Sequence, residues 1–138
     1  MTITLSGTVS FESRSGTWAL ELGGKSGTPT VEISVTNRNI IKVTAQFNGS
    51  NGSAPGFYFD IVSLNPDVKA LTPTTGIAQG NTGWTSCVQI AFFLAELPQN
   101  QTDDTVDFEV HFLQNDLGGD GQRLNNFVLI AEIVGSNW

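Results

Sequence analysis

The chain has 138 residues, of which 39% are hydrophobic and 14% charged, and its net charge is −7 from six Lys/Arg against 13 Asp/Glu. That length accommodates one domain with a single core, spanning residues 1–138. Basic residues so few and so scattered cannot neutralise several phosphates, which excludes nucleic acid and disfavours anionic membrane surfaces.

Along the chain, MTITLSGTVS has neither the basic nor the apolar segment of a signal peptide. No apolar run approaches the roughly 20 residues of a membrane span. A soluble protein, cytosolic at synthesis and open to later release or surface action, is expected. Trp18 in GTWALEL reads as a core residue, and Trp138 at the last position as either a frayed residue or a cap on a subunit seam. VEISV turns Val31, Ile33 and Val35 to one side, and IIKVTAQF does the same with Ile41, Val43, Ala45 and Phe47. In GFYFDI, Phe57, Phe59 and Ile61 alternate with Tyr58 and Asp60, so the last two share the less apolar face.

The run after Cys87 supplies Val88, Ile90, Phe92 and Leu94 as its apolar set. VDFEVHF separates Val106, Phe108, Val110 and Phe112 from Asp107, Glu109 and His111. NFVLIAEIV is almost continuously apolar, as expected of a strand covered on both faces. Gly/Asn/Pro/Ser clusters separate these runs, and no stretch has a helical period. Eight or nine strands predict an all-β protein, a two-sheet antiparallel β-sandwich or jelly roll. The apolar runs exceed what one small two-layer core needs, which predicts a homo-oligomer with an apolar centre.

Catalytic chemistry is poorly supplied, and no enzyme is expected. His111 is the single histidine and sits on a polar strand face, where it reads as a solvated residue. There is no GxSxG-type nucleophile turn, and Cys87 has no basic sequence neighbour to lower its pKa. Asp103, Asp104 and Asp107 read as a solvated loop entering a strand rather than as a paired acid and base. In NDLGGDGQRLNN, Asp116, Asp120 and Asn125 form a secondary calcium alternative. This stretch resembles the C-terminal calcium loop of bacterial calcium-dependent lectins. Gly121, Gln122 and Arg123 stand where that family is mainly acidic, and an EF-hand-like spacing would end at Phe127, which cannot coordinate. A plain hairpin loop is the leading reading, with no metal or cofactor required.

The stretch SAPGFYFDIVSLN, followed by VQIAFFLAEL, PQNQTDD, TVDFEVHFLQ, NDLGGDGQRLNN and FVLIAEIV, resembles tumour necrosis factor-like (TNF-like) and complement-head-like jelly rolls over residues 55–138. Within that superfamily it is most similar to trimeric, fucose-binding, TNF-like lectin domains of bacterial origin. Those domains have a Pro-Gly-aromatic-Tyr-Phe strand and a Ser-Thr-Gly-Arg turn. Here the strand is Pro55-Gly56-Phe57-Tyr58-Phe59 and the turn is Asn81-Thr82-Gly83-Trp84. The resemblance implies a sugar site at a protomer seam that includes Tyr58, Asn81 and Thr82, with Trp84 in place of the arginine. Loss of that guanidinium removes a fork of donors, so the same sugar does not follow.

Asp60, on the face of Tyr58, completes the expected carbohydrate-binding set of Tyr58, Asp60, Asn81, Thr82 and Trp84. An indole stacks on the apolar face of a pyranose, while Asn, Thr and carboxylate groups bond its hydroxyls. The expected partner is a glycan bound by a homo-oligomer, a trimer in the first instance. A structural or toxin-type jelly-roll assembly protein is the alternative.

Overall fold

The computed structural model describes residues 9–19, 30–50, 56–79, 85–113 and 123–137. These residues form nine strands: β1 (Val9–Ala19), β2 (Thr30–Thr36), β3 (Asn39–Ser50), β4 (Gly56–Ser63), β5 (Val68–Ala70), β6 (Thr75–Gln79), β7 (Thr85–Ala95), β8 (Asp103–Leu113) and β9 (Arg123–Ser136). One sheet has five strands in the order β1-β9-β3-β7-β5, and the other has four in the order β2-β8-β4-β6. Every pairing is antiparallel. Odd-numbered strands lie in one sheet and even-numbered strands in the other, so each connection crosses between sheets. This is the interleaved order of a jelly-roll β-sandwich. Among the described residues no helix is long and apolar enough to cross a membrane.

The two-residue periodicity of the sequence selects the core. Val31, Ile33 and Val35 of β2, Phe59 and Ile61 of β4, and Val106, Phe108 and Val110 of β8 are buried against the opposite sheet. Facing them are Ile41, Val43 and Ala45 of β3, Ala91, Phe93 and Ala95 of β7, and Leu129, Ala131 and Ile133 of β9. The alanines on the five-stranded sheet leave room for the phenylalanines opposite. Phe93 and Phe108 meet between the sheets at a centroid distance of 4.9 Å and an interplanar angle of 57°, an arrangement that aromatic quadrupoles favour. Phe59 lies over Gly76, its cross-strand partner on β6. A Cβ built on Gly76 would stand 2.2 Å from Cζ of that ring.

At one corner of the sandwich a polar network joins three segments. Asn39 is buried, and its Oδ1 accepts from Thr36 N at 2.6 Å and Thr36 Oγ1 at 3.0 Å, while its Nδ2 donates to Ser136 Oγ at 3.1 Å. Arg38 adopts φ 70° in the β2–β3 turn. It donates from N to Ala95 O at 2.8 Å and from Nε to Asn137 O at 2.8 Å. Leu97 N donates to Asn37 Oδ1 at 3.0 Å. The turn thereby ties the ends of β7 and β9 together and leaves the buried polar atoms of Asn39 bonded.

β7 departs from the sequence expectation. Its alternation singles out Val88, Ile90, Phe92 and Leu94; of these Leu94 is buried, yet the register with β3 turns Ala91, Phe93 and Ala95 into the core between the sheets. Val88 and Ile90 face outward and are 56% and 42% exposed. CVQIAFFLA is apolar in both phases at its C-terminal end, and pairing with β3 decides between them. β9 is likewise covered on one face only: Leu129, Ala131 and Ile133 are buried, while Val128, Ile130 and Glu132 are half-exposed.

Candidate functional site

The outer face of the four-stranded sheet collects the polar side chains that alternate with the core. Glu32 on β2, Asp60 on β4, and Asp103, Asp107 and Glu109 on β8 belong to it. Among the described residues this face has no Lys or Arg. Register places Asp60 between Thr75 of β6 and His111 of β8. The next row joins Val62, Glu109 and Thr30.

Asp60 is half-buried and already organised by the chain. Its Oδ1 accepts from Thr74 Oγ1 at 2.5 Å and from Thr75 Oγ1 at 3.3 Å. Both bonds fall on one oxygen, which fixes the plane of the carboxylate and makes it an acceptor of set direction. Beside it His111 Nε2 is hydrogen-bonded to Glu109 Oε1. The His111 and Glu109 side chains are only 18% and 15% exposed. His111 is therefore less solvated than its place on a polar strand face suggested. Thr30 Oγ1 donates to the other oxygen of Glu109 at 3.4 Å.

The segment between β4 and β6 supports this row by wrapping an edge of the sandwich. Leu71 N donates to Phe92 O at 2.7 Å, and Thr72 Oγ1 accepts from Phe92 N at 2.9 Å. The same segment then reaches Asp60 through Thr74. It extends the cover that β5 gives to the edge of β7. At the other end of the sheet Asn65 Nδ2 donates to Asp104 Oδ2 at 2.7 Å, and Asp104 Oδ1 accepts from Thr105 N at 2.8 Å. Asp104 thus ties the β4–β5 connection to β8. A shallow cleft of about 400 Å³ lies there, lined by residues that include Asn65, Asp67, Asp104 and Asp107. Among the described residues no group of three or more His, Cys, Asp or Glu side chains is arranged to hold a metal ion.

Of the carbohydrate-binding set expected from sequence, Asp60 is the one whose side chain is described. Tyr58 lies in β4, in register with Ile77 of β6 and Leu113 of β8; its side chain is outside the described residues. Asn81, Thr82 and Trp84 also lie outside them. The secondary calcium residues Asp116 and Asp120 lie outside as well. Asn125 belongs to β9, in register with Thr17 and Asn48; its side chain is not described. Trp18 pairs in register with Leu124, and again only its backbone position is described.

The described residues that flank these segments share one end of the sandwich. Gln79 is in register with Gly56, Thr85 with Gly49, and Arg123 with Ser50. Leu113 is in register with Tyr58. Asp60 is two residues from Tyr58 on the same strand, toward the middle of the sheet. Thr74, Thr75, Glu109 and His111 join Asp60 there. Sequence reasoning missed Thr74 and Thr75, because TPTTG reads only as turn punctuation. Their bearing on Asp60 comes from the pairing of β6 with β4.

No protein-family model matches the chain, and no curated protein sequence does. Among solved structures, the chain is similar to the tripod from the baseplate of bacteriophage Tuc2009. Identity is 15% and the TM-score 0.56, with 91% of this chain and 62% of that chain covered. It also matches a cyclase from Fischerella sp. TAU at 12% identity and TM-score 0.41, over 96% of this chain and 90% of that one. A family 35 carbohydrate binding module from Clostridium thermocellum matches at 13% identity and TM-score 0.34, over 91% and 97%. The chain spans 62% of the length of the tripod chain. At that identity the likeness to the tripod is one of fold, and it agrees with the jelly-roll strand order found here.

Proposed function

We propose that this chain is a carbohydrate-binding lectin that recognises neutral sugars without catalysis and gains avidity by assembling into a homo-oligomer. The observation that carries the reading is the row formed by Thr75, Asp60 and His111, flanked by Glu109 and Thr74. Hydroxyl, carboxylate and imidazole groups are held in fixed orientation on a sheet face that has no Lys or Arg among the described residues. Such a surface suits a polyol, whose hydroxyls donate to an oriented carboxylate and to the second ring nitrogen of a neighbouring imidazole whose Nε2–H is held by Glu109. It repels phosphate and sulfate. The sequence resemblance adds Tyr58, Asn81, Thr82 and Trp84 as further contacts, and a trimer as the assembly. Weak individual sites gain affinity by clustering.

The test is a glycan array probed with the folded wild-type chain and with Asp60→Asn, alongside its molar mass in solution. Binding to neutral glycans that Asp60→Asn weakens at least tenfold is the expected result. A blank array with the folded wild-type protein refutes it.

A second reading, a structural jelly-roll assembly module, is favoured by the outward Val88 and Ile90, which need no sugar to explain them. Stable multimers together with a blank array would support it.

A further inference from the structure

The outer face of the five-stranded sheet has a regular composition that the core does not require. Three rows run across β7, β3 and β9: Val88–Gln46–Val128, Ile90–Thr44–Ile130 and Phe92–Lys42–Glu132. A polar spine on β3 is thus flanked by an apolar strip on β7 and a second on β9. Val88 and Ile90 are 56% and 42% exposed, and Phe92, Val128 and Ile130 are half-exposed. Lys42 Nζ and Glu132 Oε1 stand 3.8 Å apart, so the charges in these rows cancel.

We infer that this face is the surface through which copies of the chain associate, each presenting the same face to its neighbours. The inference supplies the assembly half of the proposed function and rests on that half alone. Charge favours a second copy as the occupant. The net charge is −7, and the opposite face of the sandwich has Glu32, Asp60, Asp103, Asp107 and Glu109 with no Lys or Arg among the described residues. Two copies of so acidic a chain repel through most approaches, and least where both present the neutral rows. The described rows span three strands at about 4.8 Å and five residues at about 3.4 Å, a patch on the order of 250 Å² that supplies the apolar part of the contact.

The ion pair adds specificity within the same face. Lys42 and Glu132 sit in one row on adjacent strands, so each copy presents a positive and a negative group side by side to its neighbour. Reversing either charge leaves two like charges together and unbalances the face in every copy at once. Exchanging the two restores balance.

The experiment is sedimentation equilibrium of the full chain between about 1 and 100 μM, with far-UV circular dichroism as the check on folding. Wild type is expected at an integral multiple, two or greater, of the 14.8 kDa chain mass. Ile90→Lys is expected as a folded monomer. Val88→Lys, at the more exposed position, gives the same test should Ile90→Lys fail to fold. Thr105→Lys, on the opposite sheet, should leave the mass unchanged. Lys42→Glu should weaken association at least tenfold, and Lys42→Glu/Glu132→Lys should recover most of it.

A wild-type monomer at 100 μM overturns the inference, as does a folded Val88→Lys of unchanged mass. A monomer that instead binds neutral phosphatidylcholine vesicles through Ile90 assigns the face to lipid and also overturns it. A monomeric Val88→Lys that still binds glycan with lowered avidity separates this inference from the sugar site. A blank array with intact multimers removes the sugar reading and leaves this one standing.

Discussion

Gly76→Ala is the most direct test of how the core ring of Phe59 packs across its own sheet onto β6. The added Cβ would lie 2.2 Å from Phe59 Cζ, 2.6 Å from Cε2 and 2.8 Å from Cε1. Carbon atoms in contact prefer about 3.5–4.0 Å, so the ring or the strand must move by more than an ångström. Phe59 is 1% exposed and belongs to the continuous core cluster, which leaves the ring no solvent to retreat into. Overpacking of this kind costs about 1–3 kcal/mol. Replacing a strand glycine returns roughly 0.5–1 kcal/mol through the unfolded chain. The net expectation is a loss of about 1–2 kcal/mol, or a fall in Tm on the order of 3–10 °C for a domain of this size.

Urea denaturation followed by circular dichroism should report a lower midpoint with an unchanged m-value. The double variant Gly76→Ala/Phe59→Leu should lose less than the sum of the single losses, because the smaller side chain vacates the contact. Gly76→Ala as stable as wild type, or additive with Phe59→Leu, would show that this contact does not limit the packing.

Phe108→Ala removes a fully buried ring from its tilted contact with Phe93 and should cost about 3–5 kcal/mol in the same denaturation assay. Asn39→Ala leaves Thr36 N and Ser136 Oγ without their partner; a loss of about 1–3 kcal/mol, with faster amide exchange at Thr36, is expected. Thr74→Val removes the shortest bond to Asp60; on the lectin reading, glycan affinity should fall several-fold by isothermal titration while the melting temperature moves by little.

The sequence was legible wherever a strand is apolar in one phase only. VEISV and VDFEVHF each have polar residues on every second position, so Val31, Ile33, Val35, Val106, Phe108 and Val110 could be assigned to the core without a partner strand. GFYFDI was readable for the same reason, and it placed Asp60 on the outer face. The short strands β5 and β6 were not legible. VKA and TGIAQ are too brief to show alternation, and only the pairings with β7 and β4 make them strands.

Composition and periodicity by themselves determined that this chain is an all-β sandwich, because burying alternate residues is the one way its strands can hide their apolar side chains. Tertiary structure decided what periodicity could not. β7 is apolar in both phases near its end, and its hydrogen-bond register with β3 sends Phe93 inward and leaves Val88 and Ile90 outward. The row around Asp60 was also a tertiary outcome. Thr75, Asp60 and His111 lie on three strands far apart in sequence, and no local pattern records which strands will be neighbours. Alternation specifies the faces of each strand, but only pairing across the sheet decides which side chains meet on them.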